Sequence, residues 1–187
     1  MPAILRVEGN RLIRRYDSEI LWIEPWGENS LRVRATHEGK MPERDWALLP
    51  VENAKAEINI SNHSATIRNG KIRAEVTASG DITFYNQKNE VILREYTSRC
   101  SWGLRKKGRE FQPIPGGDYK LYVRFEAVDN EKIYGMGQYQ HPYLNLKGCT
   151  LELAHRNSQS SVPFAVSSLG YGFLWHNPAI GNVVFGK

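Results

Sequence analysis

Between Tyr134 and Cys149 the chain reads YGMGQYQHPYLNLKGC. Glutamine amides donate and accept hydrogen bonds at once. Tyrosine rings offer flat faces for stacking, and Gly135 and Gly137 loosen the backbone that carries them. The combination suits a hydroxyl-rich ligand such as a sugar, with His141 at its centre, followed by Pro142. The other histidines are His37, His63, His155 and His176, and no two of the five stand two or four residues apart, so no local metal pair is encoded. The two glycines do not make a dinucleotide fingerprint, because the third glycine is missing and no helical pattern follows. A nucleophile elbow, a zinc-protease helix and a P-loop are also absent from the sequence. Glycoside hydrolysis needs two carboxylates facing across a sugar. No such pair is visible: Glu75, Glu95 and Glu126 read as outward-facing strand positions, and Asp129 and Glu131 as part of a polar turn. The sequence offers groups for recognition without groups for bond breaking.

The scaffold that positions them is written in period-two alternation. Ile72, Ala74 and Val76 share one face of KIRAEVTA, preceded by Asn69-Gly70, a strong hairpin signal. DITFY and VILREY continue a meander. ILWIEP and SLRVRAT form an earlier pair, DYKLYVRFEAV follows Gly116-Gly117, and SVPFAVSS, YGFLWHN and NVVFG close the chain. Many short strands with turn residues between them predict an all-β, antiparallel sandwich. At 187 residues, residues 1–187 are expected to form a single domain large enough to bury a core without disulfide or metal support.

Net charge is +5, with both signs scattered along the chain. The densest basic run, Arg105, Lys106, Lys107 and Arg109, reads as a solvated hairpin tip and is too narrow for a nucleic-acid footprint. Cys100 and Cys149 are far apart and read as reduced packing residues. The N-terminus has no signal-peptide core, and no apolar run approaches the ~20 residues of a membrane span. A soluble, cytoplasmic protein without cofactor, metal or membrane partner is expected.

Tyr134-Gly135-Met136-Gly137-Gln138, then Leu146-Lys147-Gly148, Val162-Pro163-Phe164, Ser167-Ser168, Gly170-Tyr171-Gly172 and Asn177-Pro178 resemble, in order and spacing, the N-terminal sandwich of glycoside hydrolase family 31. That family includes α-glucosidases and α-xylosidases. The resemblance implies a galactose-mutarotase-like β-sandwich preceding a (β/α)8 barrel. The family's two catalytic aspartates lie on that barrel, and nothing here matches their motifs. The chain is therefore expected to be an accessory domain, inactive alone, whose partners are a downstream barrel of the same polypeptide and an α-linked saccharide. By this resemblance the loop from Gln138 to Lys147, with Ala154 to Ser161 beside it, helps wall the substrate pocket. Gln138, Asn157 and Gln159 would offer amide hydrogen bonds, Tyr139 or His141 would stack on a sugar face, and Arg156 would pair across to the barrel. Two departures matter. Gln138 replaces the family's usual glutamate, and HRNSQSSVPF lacks the aspartate of many α-glucosidase members, which leaves α-xylosidase-like specificity open.

Two other readings compete. A free-standing carbohydrate-binding module would need a row of exposed aromatics, for which Trp22, Trp26, Trp46, Trp102 and Trp175 are the candidates, although Trp22 and Trp175 sit in apolar strand contexts that favour core packing. An aldose epimerase of related fold would need a glutamate base and two histidines in one cleft. If a barrel covers one face of the sandwich, that face should carry a large apolar patch and could dimerise the isolated domain.

Overall fold

The computed structural model describes residues 4–43, 45, 47–52, 55–98 and 107–186. Its elements are strands in antiparallel sheets, and they gather into two compact units, residues 1–126 and 127–187.

The first unit is a sandwich of two meanders. Strands β1 (Leu5–Glu8), β2 (Arg11–Tyr16), β3 (Glu19–Trp26) and β4 (Ser30–Thr36) make one sheet. Strands β5 (Glu57–Ile60), β6 (Ser64–Asn69), β7 (Ile72–Thr77), β8 (Ile82–Tyr85) and β9 (Val91–Arg94) make the other. Alternate side chains of each strand point to opposite faces, so Leu12, Leu21 and Ile23 of the first sheet meet Ala65, Ile67, Ala74, Val76 and Ile82 of the second in one buried cluster. Burying each large aliphatic there contributes about 1.5–3 kcal/mol. A hairpin, β10 (Arg109–Ile114) and β11 (Asp118–Val123), completes the unit, turning at Gly116 and Gly117, both at positive φ.

One end of this sandwich is pinned by Asn69. The sequence suggests Asn69-Gly70 as the turn pair, but Asn69 is the last strand residue, paired with Ile72, and the turn is Gly70-Lys71. Only Gly70 has positive φ, which suits the first position of a type II′ turn. The Asn69 side chain is fully buried and donates from Nδ2 to the carbonyls of Gly27 (2.9 Å) and Ser30 (2.8 Å) in the β3–β4 turn. Asn29 returns the tie, its Oδ1 accepting from the Lys71 N–H at 3.0 Å.

The other end carries charge where alternation predicts exposure. Glu95, expected to face solvent, is 3% exposed, and Arg109, expected at a solvated tip, has an almost fully buried side chain. They pair with each other. Arg109 also reaches Glu19 at 3.1 Å and donates to the Gly80 carbonyl at 2.7 Å, and Glu19 binds Arg14 at 2.8 Å. The Ile82 N–H donates to Glu95 Oε2 at 3.0 Å. Burial pushes the Glu95 carboxyl above its ordinary range, against the pull of Arg109. Alternation fails here because each buried charge meets its opposite, which burial demands. Of the basic run, Arg105 and Lys106 lie outside the described residues, as does Cys100, whereas Cys149 is half-buried with a free thiol.

Trp22 also departs from expectation. It pairs with Ile13 and Arg34 on the sheet face opposite the aliphatic cluster, where the guanidiniums of Arg11 (4.6 Å) and Arg34 (5.0 Å) cover its ring. Arg32 likewise covers Trp26 at 4.7 Å. Occupied ring faces do not form the bare aromatic row of a carbohydrate-binding module; Trp46 and Trp102 lie outside the described residues.

The second unit comprises a sheet ordered β12 (Ile133–Gln138), β14 (Ser160–Ser167), β15 (Tyr171–Leu174) and a pair, β13 (Thr150–Leu153) with β16 (Gly181–Val184). Ile133, Met136, Leu146, Leu151 and Ala165 form its core, flanked by Val183 and Phe185.

Candidate functional site

The glycines of YGMGQ build a bulge in β12. Gly135, Met136 and Gly137 all take positive φ, and the β12–β14 register shifts between the two glycines. A Cβ at Gly135 would lie 2.6 Å from the Phe164 carbonyl oxygen, and one at Gly137 2.2 Å from that of Ser160. No other residue fits either position. The bulge turns Met136 into the core, 3% exposed, and re-aims the strand end that follows, a common use of bulges beside binding sites.

Beyond the bulge the five expected residues come to one end of the second unit. Gln138 pairs with Ser160, next to Gln159. Asn157 sits in a tight turn whose flanks, Arg156 and Gln159, form a bridge, with Ser158 at positive φ. Tyr139 reaches the same place, its hydroxyl bonded to the Glu152 carbonyl and to Ser161 Oγ, both at 2.8 Å. Among the described residues the side-chain amides of Gln138, Asn157 and Gln159 make no hydrogen bond, so each keeps a donor and an acceptor to offer. Arg156, expected to pair across to a barrel, grips Glu152 in its own unit with two contacts, 2.9 and 2.6 Å.

The loop itself is a column of rings. Tyr139, His141 and Tyr143 stand two residues apart, with centroids 6.1 and 5.9 Å apart and planes inclined by 12° and 30°. The Tyr143 N–H donates to His141 Nδ1 at 3.2 Å, so the neutral imidazole carries its proton on Nε2. Tyr139, its hydroxyl already used, anchors the column, and Tyr143 is its open end, 62% exposed, followed by Leu144 at 79%. Tyr143 is the residue that reading the loop passed over. The alternate spacing in YQHPY was the available signal.

Several motif residues hold the unit together instead of lining this end. The Glu131 carboxylate, expected in a polar turn, is 7% exposed. It accepts from the hydroxyls of Ser167 (2.5 Å) and Tyr171 (2.8 Å) and faces Lys147 at 3.4 Å. Burial and the bond to Glu131 push the Tyr171 phenol well above its usual range. At Gly172 the Phe164 ring lies across the backbone, 2.7 Å from where a Cβ would stand. Among the described residues no cluster of three or more histidine, cysteine or acidic side chains is arranged to hold a metal.

A model of the glycosyl hydrolase 31 N-terminal galactose mutarotase-like domain matches residues 20–183. The chain belongs to this family. An uncharacterized family 31 glucosidase of Pseudescherichia vulneris is 50% identical to this family 31 domain over 193 residues, 95% of the chain and 36% of the relative. Alpha-xylosidase A of Aspergillus niger is 27% identical over 90% of the chain and 25% of its own length. The crystal structure of a family 31 α-xylosidase from a soil metagenome, complexed with xylose, matches with a TM-score of 0.92 and 48% identity, covering 98% of this chain and 29% of that one. The chain thus spans about a third, or less, of these relatives. The family model describes an N-terminal domain, and the proteins this chain resembles over that domain are α-xylosidases and a glucosidase.

Proposed function

We propose that this domain serves a retaining α-glycosidase that acts on α-xylosides, supporting the catalytic barrel and lending the Tyr139–Tyr143 loop to the substrate pocket. The 48% identity and matching fold of the xylose-complexed α-xylosidase carry this reading. The 50% identical relative described as a glucosidase supports α-glucosides as the second reading. The loop suits either sugar: three unengaged amides lie at the same end of the unit as a ring column whose outermost ring is exposed. Stacking of this kind contributes about 0.5–1.5 kcal/mol, or roughly 2- to 10-fold in affinity.

The test is kinetic. In the longest polypeptide encoded in frame with this chain, Tyr143→Ala should raise KM for an aryl α-xyloside by about 3- to 10-fold with kcat little changed, and Tyr143→Phe should restore it. A polypeptide that cleaves neither α-xylosides nor α-glucosides would overturn the activity. Unchanged kinetics in Tyr143→Ala would remove the loop from the pocket.

A further inference from the structure

The outward face of the β12–β14–β15 sheet is apolar. Its inward side chains, among them Ala165 and Ser167, meet the core or the Glu131 network. The alternate residues of β14 point the other way: Val162 is 51% exposed, Phe164 42% and Val166 43%. Register adds Tyr134, which pairs with Val166, and Leu174, which pairs with Phe164 and is 46% exposed. Gly172 lies between them beneath the Phe164 ring. The β14 and β15 side chains on this face carry no charge. An apolar outward face on a sheet whose other face is already packed belongs against a further layer, and monomers rarely leave so continuous a patch to water.

We infer that this face is an internal interface, covered by the part of the polypeptide that lies C-terminal to the domain in its relatives. The inference rests on the reading that the chain serves a longer enzyme, and it names the surface through which it does so. Two observations select this occupant. The same fold occurs, with a TM-score of 0.92, inside a chain of which it makes up only 29%, so most of such a polypeptide is available to cover it. The patch also lies on the strand that follows the candidate binding turn, Ser160 and Val162 being two residues apart on β14. Whatever covers the patch therefore stands directly beside Gln138, Asn157 and Gln159. Packing there would fix the binding end against its neighbour.

Cysteine labelling tests this. In a Cys100→Ser, Cys149→Ser background, Val162→Cys and Val166→Cys are placed singly on the face, with Lys88→Cys in the exposed β8–β9 turn as reference. Reaction with a maleimide is timed in the 187-residue chain and in the longest in-frame polypeptide. In the longer protein both face positions should slow by roughly ten-fold or more, because a packed layer must open before reagent enters, and Lys88→Cys should not change. Equal rates in the two proteins overturn the inference, even if the longer protein cleaves α-xylosides. Slowing that appears in the 187-residue chain as its concentration rises, with a dimer in sedimentation, assigns the face to a second copy and also overturns it. The absence of any longer in-frame polypeptide removes the occupant and the enzyme reading together.

Discussion

Tyr171 shows how a single side chain ties folding to pH. Its hydroxyl donates to the buried Glu131 carboxylate, and ionising it there would set two negative charges together. Its pKa is therefore raised in the folded state, chiefly by burial, whereas in the unfolded chain it is about 10. A raised folded pKa contributes stability that is fully present below the unfolded value and declines as pH climbs above it. Urea midpoints should fall above pH ~10, and Tyr171→Phe should flatten that fall while lowering stability at neutral pH. An unchanged alkaline profile in Tyr171→Phe would mean that the phenol is not the titrating group. The same residue marks the limit of legibility at this scale. Tyr171 was visible as a motif position, but Glu131 looked like a turn residue, since its burial depends on Ser167, Tyr171 and Lys147 arriving from 16 to 40 positions away. Glu95 and Arg109 were misjudged for the same reason, each being buried only because the other is.

At the scale of elements, strand positions were legible because alternation is local: β3, β4, β7 to β9, β11 and β14 to β16 fall where period-two patterns and turn residues place them. How the sheets are tied was not legible, since it depends on a side chain crossing between turns. Asn69 does that with two donated hydrogen bonds. Asn69→Ala should lower the stability of the first unit by about 2 kcal/mol, combining lost bonds with carbonyls left bare. Asn69→Asp should cost more, because a carboxylate has nothing to donate to the Gly27 and Ser30 carbonyls. Denaturant titration ranks the three proteins, and an Asp variant as stable as the parent would refute this account of the tie. The five site residues proposed from the sequence do share one end of the second unit. Tyr143 was missed because its exposure is set by how the loop stacks, which no residue type announces.

For the molecule as a whole, the decisive feature is what the two units hold and what they lack. Both have aliphatic cores, yet Glu95 and Glu19, the two carboxylates that share Arg109, are locked to it and to Arg14. A buried, paired carboxylate is not free to meet a sugar from both sides. The 187-residue chain alone should therefore release no phenol from an aryl α-xyloside, while the longer polypeptide should do so. Turnover by the purified short chain would show that a catalytic pair exists within it.

The Glu131 network has one more consequence. Lys147, Ser167 and Tyr171, three of the positions by which this family is recognised, are engaged in keeping one small sheet closed, and Gly135, Gly137 and Gly172 give way to neighbouring backbone or a phenyl ring. Searches anchored on these letters will gather proteins by architecture, whichever glycoside they cleave. Sorting pentose from hexose enzymes should instead begin with the exposed tip at Tyr143 and Leu144, where a new side chain can appear without entering the core.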